Sequence, residues 1–419
     1  MHRVICLIVI CLSLSGQVAM AAVSDQEFAQ LRADFAALAA RLNALEAENA
    51  ELRDVTESMV TEAAVAEQQV AVVAAPSDAE TWADRIKIKG DFRYRYQNED
   101  VEIAGNERNR QRIRARPAIV AKIPGNVELG FGMATGSDDP VSANQTLGGG
   151  GSSKDIKLDL AYFDWEGLEG LHLRGGKFKN PLRRAGGHSM LWDGDWRPEG
   201  FTVVYDKGRL FGAVLGTWAE SDSRRDDEFS YGLQGGVRAE FGDAKFTIGG
   251  GYYDVDTAGR ECFFDSDECA GNSTNPDGTY RFDFQEIEAF AEAEFELAGF
   301  PSAAFLNYVQ NTDADQFDTG WAAGFTFGKA KKAGSWQVGY TYQDLEADAV
   351  LGLLTDSDFA GGGTDAEGHV LKGAYSLTDR VKLKLTYFLT ERQDSNGVEN
   401  GGVAYDADTL QLDLEFKYD

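Results

Sequence analysis

The chain has 419 residues, with 69 Asp and Glu against 40 Lys and Arg, a formal charge of −29, and 8 Pro beside 47 Gly. The acidic balance excludes nucleic acid as a partner, and past the N-terminus no stretch holds the roughly 20 apolar residues that a spanning helix requires. Abundant Gly, scarce Pro and 11% aromatic residues suit a large antiparallel sheet, where Pro would remove ladder hydrogen bonds.

Residues 1–21 read as a secretory signal: Arg3 is the positive start, 4–14 an apolar run, and Ala19-Met20-Ala21 an A-x-A cleavage site. Cys11 follows Ile10, where a lipid-attachment site would want a small residue. Cleavage leaves Cys262 and Cys269, and two cysteines so close in an exported chain are expected to form a local disulfide. A metal site is the alternative, but no His lies near. Residues 22–62 read as a coiled-coil helix. Phe28, Phe35, Leu42 and Asn49 fall at a positions and Leu31, Leu38, Leu45 and Leu52 at d positions, with Asn49 of the kind that sets register. The other reading of this helix is docking on its own domain. Residues 63–84 form a linker, and 85–419 a sheet domain.

In the sheet domain, hydrophobicity alternates with the two-residue period of strands. The first strand, 86–96, sets Ile86, Ile88, Phe92, Tyr94 and Tyr96 against Lys87, Lys89, Asp91, Arg93 and Arg95. Over 108–122, Arg108, Arg110, Arg112, Arg114 and Arg116 share one face, with Ile113, Ala115, Pro117 and Ile119 on the other. Strands follow at 127–135 and 156–165, where Ile156, Leu158, Leu160 and Tyr162 are expected outward. Further strands are expected near 171–178, 200–206, 210–219, 229–241 and 244–254. The strand over 281–297 repeats the ladder with its sign reversed: Glu286, Glu288, Glu292, Glu294 and Glu296 share a face backed by Ile287, Ala289, Ala291 and Ala293. The rest lie near 301–310, 319–328, 335–343, 368–377, 380–391 and 408–418. Connections are alternately short and long, which predicts a closed, all-β, 16-stranded antiparallel transmembrane barrel preceded by the helix. The apolar faces then meet lipid, and the charged faces a water-filled interior. Like charges along one strand repel, so the ladders make sense only beside water and counter-ions.

Several segments resemble the "putative porin" family of Gram-negative outer membranes. They are Arg108-Asn109-Arg110-Gln111-Arg112, Ala134-Thr135-Gly136, Asp138-Asp139-Pro140-Val141, Asn144-Gln145-Thr146-Leu147, Lys179-Asn180-Pro181, Leu191-Trp192-Asp193-Gly194-Asp195 and Pro198-Glu199-Gly200. The likeness is most specific over 85–206. It implies a homotrimeric outer-membrane channel with a periplasmic helical extension. In trimeric porins the third external loop folds inward and narrows the pore. Here that loop is 179–199, with Arg183, Arg184, His188, Trp192, Asp193, Asp195 and Arg197, and the alternative is a solvated surface loop.

The expected pore lining is therefore basic on one side, with Lys87, Lys89, Arg93, Arg95, the five ladder arginines, Lys372, Lys382, Lys384 and Lys417, and acidic across from it on the glutamate strand. The leading functional expectation is passive diffusion of small hydrophilic solutes or ions. The alternatives are an anion- or phosphate-selective channel, and a structural tether whose coiled coil contacts the cell wall. No cofactor is expected. The acidic segment with Asp265, Asp267 and Glu268 suggests either Ca²⁺, also bridging lipopolysaccharide, or a plain solvated loop. No catalytic set emerges: the mature histidines are His172, His188 and His369, and no P-loop, dinucleotide fingerprint or zinc spacing appears.

Overall fold

The computed structural model describes residues 82–221, 228–263, 269–395, 397 and 400–418, together with four helical positions nearer the N-terminus, Ala40, Arg41, Ala44 and Ala47. The signal sequence, all eight coiled-coil core positions and the acidic segment 265–268 lie outside the described residues. The chain divides into two units, Met1–Glu80 and Thr81–Asp419, and the second carries the sheet.

Among the described residues the sheet has seventeen strands. They are β1 (Ile86–Val101), β2 (Arg108–Ile123), β3 (Val127–Thr135), β4 (Gln145–Thr146), β5 (Ile156–Leu168), β6 (Leu171–Lys177), β7 (Glu199–Lys207), β8 (Leu210–Glu220) and β9 (Glu228–Phe241). Then come β10 (Ala244–Val255), β11 (Phe284–Leu297), β12 (Phe300–Asn311), β13 (Thr319–Gly328), β14 (Trp336–Leu345), β15 (Ala366–Ser376), β16 (Val381–Arg392) and β17 (Tyr405–Tyr418). The two-residue β4 only patches the side of β2. The other sixteen form the barrel wall, and β17 pairs antiparallel with β1, so the sheet closes. Closure leaves no unpaired edge, the condition for strands to cross a bilayer.

Side-chain alternation separates the two surfaces. Ile88, Ile119, Phe131, Phe201, Val214, Leu233, Ile248, Ile287 and Leu306 stand exposed on the outer face. An apolar surface of this extent would aggregate in water, and lipid is the solvent that covers it. Aromatic clusters mark both rims. Phe300, Phe327 and Trp336 meet at the short-turn end, and Trp218–Phe229 and Trp321–Tyr342 at the loop end. Such paired girdles are typical of outer-membrane barrels.

One expected face is overturned. A β-bulge between Gly132 and Met133 shifts the β3–β5 register, so that Gly132 faces Leu160 while Met133 faces Leu158. The extra residue reverses the alternation. Ile156 and Leu158 remain outside, but Leu160 is buried, and the Tyr162 hydroxyl donates to Glu128 at 2.9 Å across the interior.

The apolar core lies inside the barrel. Phe178, Leu182, Met190, Leu191 and Trp192 of the connection 178–198 pack with Val350, Leu351 and Leu354 of the connection 346–365 and with Tyr253, Val309 and Leu345 of the wall. These two connections, the third and seventh on the long-loop end, are loop 3 and loop 7 below. Loop 3 folds inward because it carries more apolar surface than a solvated loop can keep in water.

Candidate functional site

The arginine ladder is built by register. Arg93 lies opposite Arg114, Arg95 opposite Arg112 and Asp91 opposite Arg116 on β1–β2, while β17 sets Glu415 beside Arg93 and Asp413 beside Arg95. The seven arginines of these two strands repel one another and need counter-charges, which the fold brings from β1 itself, β17, loop 3 and loop 7. Arg95 binds Asp413 through two nitrogens, at 2.7 and 2.9 Å, and loop 7 Asp358 at 2.8 Å. Asp91 accepts from Arg114 at 3.0 Å and pairs with Arg116 at 2.8 Å. Asp195 of loop 3 reaches across to Arg114 at 3.3 Å and Arg116 at 2.5 Å. Arg110 pairs with Glu99, Arg112 donates to Gln97 at 3.0 Å, and Arg93 to Asn144 of loop 2 (136–155) at 2.5 Å. Arg108 is exposed at the loop end, 3.7 Å from Glu99. Lys384 pairs with Glu415 at 2.7 Å. Lys87 is exposed near the short-turn end, and Lys89 and Lys382 are half-buried.

The glutamate strand is used differently. Glu286 and Glu288 are 1% and 3% exposed. Glu286 accepts the Leu351 N–H of loop 7 at 3.0 Å. Glu288 accepts the Tyr253 hydroxyl at 2.7 Å and the Gln234 amide at 2.9 Å. Glu292 holds loop 3, pairing with Arg183 and accepting the Gly186 N–H at 2.6 Å. Gly186 adopts φ +60, and a Cβ there would strike the Phe305 ring, so only glycine brings the backbone this close to the wall. Glu294 and Glu296 are exposed toward the short-turn end.

Loops 3 and 7 join where Asp193 N–H donates to Leu354 at 2.7 Å and Asp356 N–H to Ser189 at 3.1 Å. Their carboxyls divide by surroundings. For Asp195 the burial penalty is outweighed by Arg114, Arg116 and Arg197, which hold it well below the usual range. Burial, with Asp356 and Asp195 nearby, pushes Asp193 up to about 8. Burial also raises Asp356, whereas Arg95 overcomes burial to hold Asp358 down. His188 is pushed by burial to about 3, and its Nε2 lies 2.6 Å from Gln343 Oε1, so the neutral ring carries its proton there.

Between these loops and the basic wall lies a chamber of about 530 Å³. Among its described lining residues, seven are cationic (Arg93, Arg95, Arg114, Arg184, Lys372, Lys382, Lys384) and six carry carboxyls (Asp193, Asp195, Asp356, Asp358, Asp413, Glu415). Such an arrangement sets fixed charges of both signs around the chamber in a strong local field. A model of the family described as "Putative porin" matches residues 100–280 and 278–418. The chain belongs to the putative porin family.

Solved porins share its fold. "High pH structure of Pseudomonas putida OprB" is 12% identical with a TM-score of 0.55, covering 80% of this chain and 94% of that one. "Salmonella typhi OmpF complex with Daunomycin" is 12% identical with a TM-score of 0.50, covering 81% and 100%. No curated protein sequence matches the chain. Family and fold together describe a porin-like channel of the outer membrane.

Several site residues of this porin were not legible beforehand. Asp358, Asp356 and Asn144 come from loops whose inward path no local pattern signals, while Asp91, Asp413 and Glu415 stand in the strand alternation but gain meaning only from register. His172 has Nδ1 2.9 Å from Asp164, which also accepts from Arg174. Trp192 is buried in the loop core against Trp196, and Arg197 pairs with Asp159 at 3.2 Å. Arg184 donates to Ser189 at 2.9 Å inside its own loop. Cys262 and Cys269 form a disulfide in loop 5 (256–283).

Proposed function

We propose that this porin is a passive diffusion channel for small hydrophilic solutes and ions, acting as a homotrimer, with loops 3 and 7 setting its aperture. The observation that carries this is the charged chamber of about 530 Å³ between the loops and the basic wall. Its walls hold fixed charges of both signs, which favour hydrated polar solutes and reject large apolar ones. A preference for anions is the second reading. It is supported by the cationic excess of the lining and by Asp193, which burial pushes up to about 8, subtracting negative charge near neutrality. Conductance of the purified protein in planar bilayers, with reversal potential in a salt gradient, tests both readings. Ohmic channels with a modest anion preference are expected; protein that inserts without conducting refutes the channel and favours a tether acting through the N-terminal segment. The trimer is tested on gels: unboiled protein is expected to run as a compact trimer that boiling converts to monomer, because a closed barrel offers detergent no edge.

A further inference from the structure

The charged chamber holds more cations than its carboxyls match. Arg95 binds Asp413 and Asp358, Arg93 lies 3.7 Å from Asp413, Arg114 3.3 Å from Asp195, and Lys384 2.7 Å from Glu415. Three lining cations pair with no carboxylate among the described residues: Arg184, Lys372 and Lys382. All three are open to the lumen, Lys372 being exposed and Arg184 and Lys382 half-buried. The Arg184 guanidinium lies against Gly194 and donates to Ser189 Oγ at 2.9 Å through one nitrogen, which leaves the other two free. Among the described lining residues, Asp193 and Asp356 are the carboxyls without a cation. Burial pushes Asp193 up to about 8, so it is neutral near pH 7. Asp356 lies within electrostatic reach of Lys372, and even when it is ionised the unpaired groups keep an excess of two positive charges.

Placement divides this excess between two poles. Arg184 and Lys372 are within electrostatic reach of each other, and both of His188, whose ring is neutral. On β15–β16, Lys372 lies opposite Thr386, Ala374 opposite Lys384 and Ser376 opposite Lys382. Lys382 therefore stands nearer the short-turn end than Lys372, by about 13 Å along the strand, with the neutralised Lys384 between them. We propose that Arg184 and Lys372 at one pole and Lys382 at the other bind a small dicarboxylate on its way through the channel. The planar Arg184 fork takes one carboxylate through paired N–H···O bonds beside the Lys372 ammonium. The flexible stem of Lys382 brings its ammonium to the second carboxylate. A monoanion would leave one pole empty, and a compact dianion such as phosphate would reach only one of them. The inference rests on the diffusion-channel reading, to which it adds a solute class.

The test is succinate, near neutral pH and at constant ionic strength, titrated into the detergent-solubilised protein by calorimetry and into single channels in planar bilayers. Saturable heat is expected, with a parallel saturable fall in ion conductance; acetate and phosphate are expected to bind roughly tenfold more weakly or worse. Lys372→Gln and Lys382→Gln are each expected to weaken succinate binding roughly tenfold, the size of one charge-assisted hydrogen bond. The folded gel band is expected to persist in both, because these side chains reach into the lumen. Lys207→Gln removes the same charge outside the chamber, at the end of β7, and is expected to leave succinate binding unchanged. Conducting channels without saturable succinate binding overturn the site. So do succinate binding that neither chamber substitution weakens, an equal loss with Lys207→Gln, and acetate or phosphate binding as tight as that of succinate. Protein that inserts without conducting refutes the channel instead, and calorimetry on the folded barrel still decides the site.

Discussion

The two charged strands β2 and β11 stand on opposite sides of one barrel and share one pattern, yet they do different work. The arginines of β2 meet carboxylates of β1 and loop 3, those of the adjoining β1 meet carboxylates of β17 and loop 7, and Arg93, Arg95 and Arg114 with the lysines of β15 and β16 border the charged chamber. The upper glutamates of β11 are covered by loops they anchor, through Leu351, Arg183 and Gly186. A transverse field is therefore set up chiefly between the arginines and the loop aspartates, rather than between two bare walls. The general point is that a charge ladder at strand period locates the barrel interior, while the loops that fold inward decide which of its charges meet solute.

The sharpest contrast is in stability. Arg95→Met leaves Asp358 buried without its cation and Asp413 with only Arg93, 3.7 Å away, at an expected cost of about 3–5 kcal/mol; Glu294→Gln, at an exposed position, is expected to change stability by less than about 0.5 kcal/mol. The temperature at which the folded gel band disappears measures both, and equal shifts would erase the distinction between paired and solvated rungs.

Selectivity separates the strands next. Replacing Arg110, Arg112 and Arg114 with Gln is expected to move reversal potential clearly toward cations. Replacing Glu288, Glu292 and Glu294 with Gln is expected to move it little, but to raise single-channel noise and expose loop 3 to protease, because Glu292 no longer pairs with Arg183. A glutamate triple that shifts selectivity toward anions as strongly as the arginine triple shifts it toward cations would restore the two bare walls.

A smaller effect concerns the loops themselves. Asp193 is held at about 8 against an ordinary value of 3.8. Between roughly those two values the folded protein keeps a proton that the unfolded chain has lost, so its contribution to stability falls as pH rises across this window and levels off above it. Protease sensitivity of loop 3 is accordingly expected to grow from pH 5 to pH 9 in the native protein and to stay flat in Asp193→Asn. The smallest effect on the barrel is that of reduction. Opening Cys262–Cys269 releases on the order of 2–3 kcal/mol of loop entropy, expected to speed proteolysis near loop 5 while the wall and its conductance persist.

The barrel was legible because its signals are local and repeated. Alternation in β1, β2, β11 and β17, short turns such as 124–126, and long loops between them each state a constraint that neighbouring strands must share. The exception at Leu160 and Tyr162 is instructive: a single bulge, invisible in hydrophobicity, reverses every side chain beyond it. The arginine wall was legible as a face, but its partners were not. Asp358 is 263 positions from Arg95, and Asp195 is 81 from Arg114.

By itself, then, the sequence determined the strand period, the inside and outside of most strands, the sixteen-stranded wall and the family, because pleat and turn chemistry act over a few residues. Tertiary structure decided which charges pair, which glutamates serve the loops, and that loops 3 and 7 build an apolar core within the barrel, leaving a charged chamber against the basic wall. Those outcomes depend on closure, which brings β17 against β1 and places loop residues opposite walls far away in the chain. No periodicity encodes such meetings, and only the closed barrel supplies them.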